Sequence, residues 1–335
     1  MALNTKALVD RLKRTGGSLL ILIVIVVVMT LIDKRFLSPE NVRNILRIGA
    51  ITVIAVYGQT FVMLTGQIDL SMGAVASLSS VIIGLVVVQL GWPLFISIIF
   101  ALLVGALVGL VNGVLVFHFG LPSFITTFGM FTSLSGFASS LTGSTPIELA
   151  GLCNIGWIGR GFVGAVPIPI IIAAIAFIIL HLVLNNTGYG RTVKAIGYNR
   201  KVALLSGRKV KLIGIITYVL SGFLVGLTAV LMSSRIYCAH PDLAPNLAFD
   251  AIAAAAVGGI SMQGGKGNLV EATIGALIIV ALLNGLTLVN VTTYMQMVTR
   301  GLVIIVAVAL NNVRTFGFAN VTGISFRRKK VGVEV

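Results

Sequence analysis

Long apolar segments, separated by short polar stretches, dominate this 335-residue sequence. A membrane-spanning helix needs about 20 mainly apolar residues. Ten segments fit that need, at residues 16–32, 48–66, 70–90, 93–117, 122–142, 165–184, 210–232, 246–261, 269–289 and 294–311. Since 57% of the residues are hydrophobic and only 10% are charged, too little polar surface exists to cover a water-soluble fold. We therefore predict an all-α polytopic membrane protein with about ten transmembrane helices, forming a single domain over residues 1–335.

The third and eighth segments are rich in small residues, as in SMGAVASLSS and FDAIAAAAVGG. Such helices either pack closely on their neighbours or are broken within the membrane. If helix 2 corresponds to helix 7, GALVGLVNGVLV (105–116) matches GALIIVALLNGLTLV (275–289). Because an offset of five helices is odd, the match favours a possible inverted repeat of helices 2–5 and 7–10, and a chance match is the alternative.

The distribution of Lys and Arg predicts the orientation of the chain, because short cytoplasmic loops carry an excess of both. Seven bases and no acid lie in residues 191–211. The sequence therefore predicts a short cytoplasmic N-terminal segment (1–15), a cytoplasmic loop (185–210) and a cytoplasmic C-terminal tail (312–335). The bases that follow the first helix contradict this rule: Lys34, Arg35, Arg43 and Arg47.

Several functional classes are excluded by what the sequence lacks. The net charge of +15 does not indicate nucleic-acid binding, since the bases lie between apolar segments without interleaved aromatic residues. The two cysteines, Cys153 and Cys238, form no metal or redox motif; we expect free thiols, and a disulfide is the alternative. The three histidines do not cluster with acids or cysteines at metal-ligand spacing, and no Ser, His and Asp set is apparent. We therefore predict neither a metal site nor an enzyme.

Few carboxylates are available for ion coupling. Asp69, Asp250 and Glu271 fall at predicted helix ends, where a carboxylate can cap a helix N-terminus. The segment GGISMQGGKGN is similar to a phosphate-binding loop, but its glycine spacing is wrong and Gly267 replaces the required hydroxyl residue. We interpret it as a tight cytoplasmic turn, predict no bound cofactor and expect energy to come from another chain.

Uncharged polar residues within the predicted spans could contact an uncharged polyhydroxyl solute, which needs hydrogen bonds without ion pairs. Hydrogen bonding between helices is the alternative for each of them. The candidates for the substrate path are Gln59, Thr60, Asn112, Thr126, Thr127, Ser133 and Asn284.

Four segments carry a resemblance to a known family: LTGQIDLSMGAV (64–75), LPSFITTFGM (121–130), GYNRKVALLSG (197–207) and AFDAIAAAAVGGISMQGGKG (248–267). Together they resemble, in order, the permeases of bacterial ABC importers for ribose, xylose, galactose and related monosaccharides. The resemblance implies a multi-pass permease domain in the bacterial inner membrane. It also implies three partners: an ABC ATPase that binds ATP and Mg²⁺, an extracytoplasmic sugar-binding protein and a second permease copy, either identical or a sister chain.

The resemblance also explains the basic loop, because Gly197–Gly207 matches the family's cytoplasmic segment that docks on the ATPase. We predict a short docking helix from about Arg200 to Leu205. The residues to which the resemblance assigns coupling are Gly197, Asn199, Arg200, Ala203, Leu204, Ser206 and Gly207.

The sequence therefore predicts the transmembrane permease subunit of an ATP-driven monosaccharide importer that works by alternating access. The alternatives are a permease for an autoinducer-2-like furanose signal and a stand-alone secondary sugar carrier.

Overall fold

The computed structural model of the protein describes residues 5–316. Residues 1–4 of the predicted N-terminal segment, and most of the predicted tail, lie outside the described residues. Within the described range the chain forms thirteen α-helices: α1 (Thr5–Ile32), α2 (Pro39–Leu64), α3 (Met72–Gly84), α4 (Leu94–Gly113), α5 (Ser123–Thr142), α6 (Gly156–Arg160), α7 (Ile168–Asn186), α8 (Gly188–Tyr198), α9 (Arg200–Leu205), α10 (Val210–Ile236), α11 (Leu247–Gly258), α12 (Leu269–Leu288) and α13 (Thr293–Phe316).

Each of the ten predicted spans coincides with one of these helices. Two helices continue into a π-helical turn: α3 through Leu85–Gln89 and α4 through Val114–His118. Six spans in the described part are long and apolar enough to cross a bilayer, and they are formed by α2, α3, α4, α7, α10 and α12 with these extensions. The protein is thus a mainly helical, multi-pass membrane protein.

Four strands of two residues each interrupt the helical fold. β1 (Ile147–Glu148) pairs antiparallel with β4 (Cys238–Ala239), and β2 (Phe162–Val163) pairs antiparallel with β3 (Val166–Pro167). The β1–β4 pair joins the long α5–α7 connection to the loop after α10, whereas the β2–β3 pair lies within that connection. Both cysteines are free thiols, as predicted.

The three carboxylates at predicted helix ends have different roles. Glu271 and Asn268 form a reciprocal capping box at the start of α12, which confirms the predicted cap. Asp250 lies in the first turn of α11, and its carboxylate also pairs with Arg300 on α13 at 3.1 Å. Asp69 is buried just before α3, and its contacts are described with the candidate site.

Helix α11 is shorter than a bilayer core requires, and α3 is long enough only together with its π-helical turn. At 1.5 Å per residue, the twelve residues of α11 extend roughly 18 Å, against about 30 Å for the hydrocarbon core. Each is preceded by a non-helical stretch that we name the inner crossing segment (residues 65–71) and the outer crossing segment (residues 237–246). The small-residue pattern therefore marks spans that are helical for part of their length.

The two crossing segments meet through the start of α3. A Cβ atom added at Gly73 would lie 2.6 Å from the carbonyl oxygen of Ala244, so only glycine permits this approach. Farther along α3, Ser77 and Ser80 accept hydrogen bonds from the backbone of Leu243 and His240, both at 3.0 Å. The outer crossing segment thus lies along α3.

Helix α4 packs on α10 through glycines spaced four residues apart. A Cβ added at Gly105 would lie 2.3 Å from the Gly222 oxygen, and one added at Gly109 would lie 2.2 Å from the Tyr218 oxygen. In the opposite direction, a Cβ at Gly222 would lie 2.0 Å from the Gly105 oxygen. Close backbone approach of this kind is a common way to join helices in lipid.

Candidate docking surface and polar interior

The predicted docking helix is present. Helix α9 covers Arg200–Leu205, which confirms the predicted bounds. Asn199 begins the helix, because its side chain accepts a hydrogen bond from the Val202 backbone at 3.1 Å. Gly207 follows the helix with φ +72°, a left-handed conformation that favours glycine.

A cluster of glycines holds the base of this helix against two other loops. A Cβ added at Gly197 would lie 2.0 Å from the Leu64 oxygen and 2.3 Å from the Gly265 nitrogen. The Gly265 N–H itself donates to that Leu64 oxygen at 2.9 Å. A Cβ at Gly264 would lie 2.7 Å from both the Gly197 Cα and the Gly66 nitrogen. We call Gly66, Gly197, Gly264 and Gly265 the glycine node.

The glycine node joins three of the segments that carried the family resemblance. Gly66 belongs to the inner crossing segment, Gly197 to the end of α8, and Gly264 and Gly265 to the loop between α11 and α12. Sequence reasoning interpreted this last loop as a simple turn. Its glycines are needed because three backbones meet there.

The outward face of α9 is apolar. Val202 is 56% exposed, Leu204 60% and Leu205 87%, and the side chain of Tyr198 at the end of α8 is also exposed. Several exposed apolar side chains on one short helix, bordered by basic residues, form a surface suited to another protein.

The structure corrects the assignment of Ala203 to the docking interface. Its side chain is only 3% exposed and packs in the protein's own core with Val62, Phe117 and Tyr218. Arg200 reinforces this attachment, since its guanidinium lies 5.1 Å from the centre of the Phe117 ring. Ser206 is exposed, and its hydroxyl donates to the Val202 carbonyl of its own helix at 2.9 Å.

The substrate-path candidates divide into groups. Gln59, Asn112 and Thr127 are fully buried. Thr127 accepts a hydrogen bond from the Leu70 backbone at 3.0 Å, and Asn112 donates to the Ser71 hydroxyl at 2.9 Å. Thr127 and Asn112 therefore hold the inner crossing segment in place.

The remaining candidates lie elsewhere. Thr60 and Thr126 donate to carbonyls of their own helical turns, at 2.7 and 2.9 Å. Ser133 is exposed on α5. Asn284 forms a reciprocal amide pair with Asn41 at 2.9 and 3.0 Å.

Asn284 also lines a polar cavity of about 490 Å³ between α2 and α10–α13. Sequence reasoning missed the other polar groups of this cavity, since they are far apart in the chain. They include Asn44, Arg235, Asn246, Asp250, Thr287, Gln296 and Arg300. The cavity faces the predicted extracytoplasmic side, where α2 begins and α12 ends.

The second correction concerns Asp69. Its position at the end of a predicted span suggested a cap near the membrane surface, but the residue is 2% exposed inside the inner crossing segment. Its Oδ1 accepts hydrogen bonds from the Ser71 backbone at 2.9 Å and from the Ser71 hydroxyl at 2.6 Å. The interior therefore contains a carboxylate that sequence reasoning had placed at an edge.

Among the described residues, no group of three or more His, Cys, Asp or Glu side chains could hold a metal ion. The described interior contains neutral polar groups and a few isolated charges, and α9 presents an exposed apolar face.

Comparisons with known proteins agree with this arrangement. The profile of the family described as branched-chain amino acid transport system / permease component matches residues 41–308. The ribose import permease protein of Bacillus subtilis (strain 168) is 38% identical over 297 residues, covering 88% of this chain and 92% of the relative. The D-allose transport system permease protein of Escherichia coli (strain K12) is 32% identical over 282 residues, covering 84% and 86%.

The xylose transport system permease protein of Escherichia coli (strain K12) is 28% identical, covering 84% of this chain and 86% of the relative. No solved structure matches the chain significantly. Since the family profile matches well over half of the chain, the chain belongs to the family of branched-chain amino acid transport system permease components.

Proposed function

We propose that this protein is the transmembrane permease subunit of an ATP-driven importer that moves a monosaccharide across the bacterial inner membrane by alternating access. Relatives named as ribose, allose and xylose permeases support a pentose or hexose as the solute. Permease subunits are transport components, and we assign ATP, Mg²⁺ and their hydrolysis to a separate ABC ATPase.

The exposed apolar face of α9 carries this proposal. A stand-alone carrier has no use for apolar side chains at a basic cytoplasmic surface, whereas a permease needs a partner contact there. The glycine node connects α9 directly to the loops before α3 and α12. Movement of the docking helix would therefore reach the helices that line the membrane interior.

The helix packing supports ten spans in an inverted repeat. Helix α2 packs on α11 and α12, and the corresponding helix α10 packs on α3 and α4. Likewise, α11 contacts α12 and α13, as α3 contacts α4 and α5. These contacts in one half thus have counterparts in the other, with the third and eighth spans formed by a crossing segment and a short helix.

We assign the exposed face of α5 to the second permease copy and to the solute path. Only Thr127 and Ala138 of this helix are buried. A Cβ added at Gly129 or Gly136 would meet no atom within 4 Å. Because this open face also presents hydroxyl groups such as Ser133, it suits a polyhydroxyl solute moving between two permease chains.

The bases that contradict the positive-inside rule support a contact with the extracytoplasmic binding protein. Arg47 lies over the Phe162 ring at 5.1 Å, and Arg160 lies over the Tyr237 ring at 4.7 Å. Arg160 also donates to the Arg235 carbonyl at 2.6 Å. Held in this way, the arginines form a basic surface for an acidic partner.

A substitution on α9 tests the proposal. Leu205→Asp places a charge on the most exposed apolar side chain of the helix without touching the core, so the permease should fold while the ATPase dissociates. Leu205→Met is the matched control, because it keeps the apolar surface. We expect ATPase co-purification and ATP-driven sugar uptake in proteoliposomes to be lost only in Leu205→Asp.

Wild-type ATPase co-purification and wild-type sugar uptake in Leu205→Asp would remove the support for docking. Uptake by the permease alone, driven by a proton or sodium gradient, would favour the stand-alone carrier. Competition of uptake by ribose, xylose, allose and a furanose signal molecule would identify the solute and decide the autoinducer-2 alternative.

A further inference from the structure

The buried carboxylate of Asp69 has no role in docking or in the proposed solute path. It is 2% exposed, and both of its hydrogen bonds come from Ser71. The two ion pairs among the described residues lie elsewhere, one at Asp33 and one at Asp250. Because a buried charge without a counter-charge is costly, Asp69 needs a neutralising partner.

Three buried neutral side chains on the surrounding helices also have unpaired polar atoms. Gln59, Asn112 and Ser221 are each 0% exposed. Both amide atoms of Gln59, the Oδ1 of Asn112 and the hydroxyl of Ser221 have no hydrogen-bond partner. Buried polar groups are nearly always satisfied, so several unpaired atoms in one region favour a place for a bound ion or an ordered water.

Direct contacts bring two of these side chains to Asp69. The amide of Asn112 donates to the Ser71 hydroxyl at 2.9 Å, and that hydroxyl donates to Asp69 at 2.6 Å. The Ser221 hydroxyl lies close enough to interact with the Asp69 carboxylate, although it forms no hydrogen bond of regular geometry. Two oxygen atoms from different elements thus lie beside each other in the buried interior.

Helix geometry brings Gln59 to the same level. Val62 and Tyr218 pack in one core cluster, and the Tyr218 hydroxyl donates to the Ile68 carbonyl at 3.1 Å. Gln59 lies three residues before Val62, and Ser221 three residues after Tyr218, so each shares a helix face with its neighbour. Since α2 and α10 run in opposite directions, both polar residues lie on the same side of this cluster.

We propose that Asp69, together with oxygen atoms of Gln59, Asn112 and Ser221, binds a monovalent cation, and that Na⁺ is its occupant. One carboxylate with several neutral oxygens matches a hard cation of single charge, and non-helical backbone between helices is a known setting for Na⁺ sites. A proton would satisfy only one of the unpaired oxygens. A water molecule would leave the carboxylate charge unbalanced.

The site lies between the glycine node and α3. Asp69 follows Gly66 by three residues and precedes Gly73 by four. A bound cation would therefore hold the inner crossing segment against α4 and α10. This inference does not depend on which solute the protein carries.

Thermal unfolding of the purified full-length chain tests the site. Unfolding is measured in NaCl and in choline chloride at equal ionic strength and fixed pH. A ligand that binds only the folded state stabilises it by mass action, so the midpoint should rise by several degrees with Na⁺ and then saturate. Asp69→Asn should abolish this rise, whereas Asp242→Asn, at an exposed carboxylate, should keep it.

Three results would overturn the proposal. Equal wild-type midpoints in the two salts would exclude Na⁺ binding, whether or not any variant folds. A midpoint that depends on pH but not on Na⁺ would assign the neutralising charge to a proton on Asp69, with Tyr218 as the other titratable group nearby. A full Na⁺ response in Asp69→Asn would place the ion elsewhere.

A second variant tests the site if Asp69→Asn does not fold. Ser221→Ala keeps the carboxylate and should require more Na⁺ for half of the rise in the unfolding midpoint. An unchanged Na⁺ requirement would also contradict the site.

Discussion

Replacing Gly197 with alanine should separate the docking helix from the membrane interior. The new Cβ would lie 2.0 Å from the Leu64 oxygen and 2.3 Å from the Gly265 nitrogen, both backbone atoms that cannot rotate away. The loop around Gly265 must therefore move, which breaks its 2.9 Å hydrogen bond to Leu64. Overpacking costs about 1–3 kcal/mol and a lost hydrogen bond about 1 kcal/mol, so the total is about 2–4 kcal/mol.

We expect this energetic cost to disfavour the native position of α9, because the glycine node lies at the end of α8 and outside the long helices. At 1.4 kcal/mol per factor of ten, the population with a correctly placed docking helix should fall at least about tenfold. The assay measures ATPase co-purification and ATP-driven uptake, with protein yield in the membrane as the measure of folding. Gly301→Ala is the matched control, because a Cβ there meets no atom within 4 Å. Wild-type coupling in Gly197→Ala would refute the reasoning.

Two further predictions follow from the helix packing and the orientation. Gly222→Ala should lower the thermal unfolding midpoint in detergent, because its Cβ would lie 2.0 Å from the Gly105 oxygen and overpacking costs about 1–3 kcal/mol; an unchanged midpoint would contradict the α4–α10 contact. In a background without native cysteines, an impermeant thiol reagent should label Cys in place of Arg208 only from the cytoplasm and Cys in place of Asp242 only from outside. Labelling of both from one side would refute the orientation.

The helical segments and the docking helix could be predicted from sequence because both depend on local signals. Apolar length marks the spans, and Asn199 and Gly207 mark the ends of α9. The burial of Ala203 could not be predicted, since which side of a six-residue helix faces inward depends on where α4 ends. The burial of Asp69 was missed for a related reason. The sequence of a span that is only partly helical does not show which of its residues are non-helical.

The contact between Gly73 and the outer crossing segment involves main-chain atoms on both sides. Side chains at an interface can change rotamer and so absorb a small displacement, but two backbones in direct contact cannot adjust in this way. A displacement of α3 that begins at its cytoplasmic end should therefore reach the outer crossing segment at nearly full size. This contact therefore transmits a displacement rather than absorbing it. We expect the segments at the two membrane faces to shift together, without an intermediate in which only one of them has shifted.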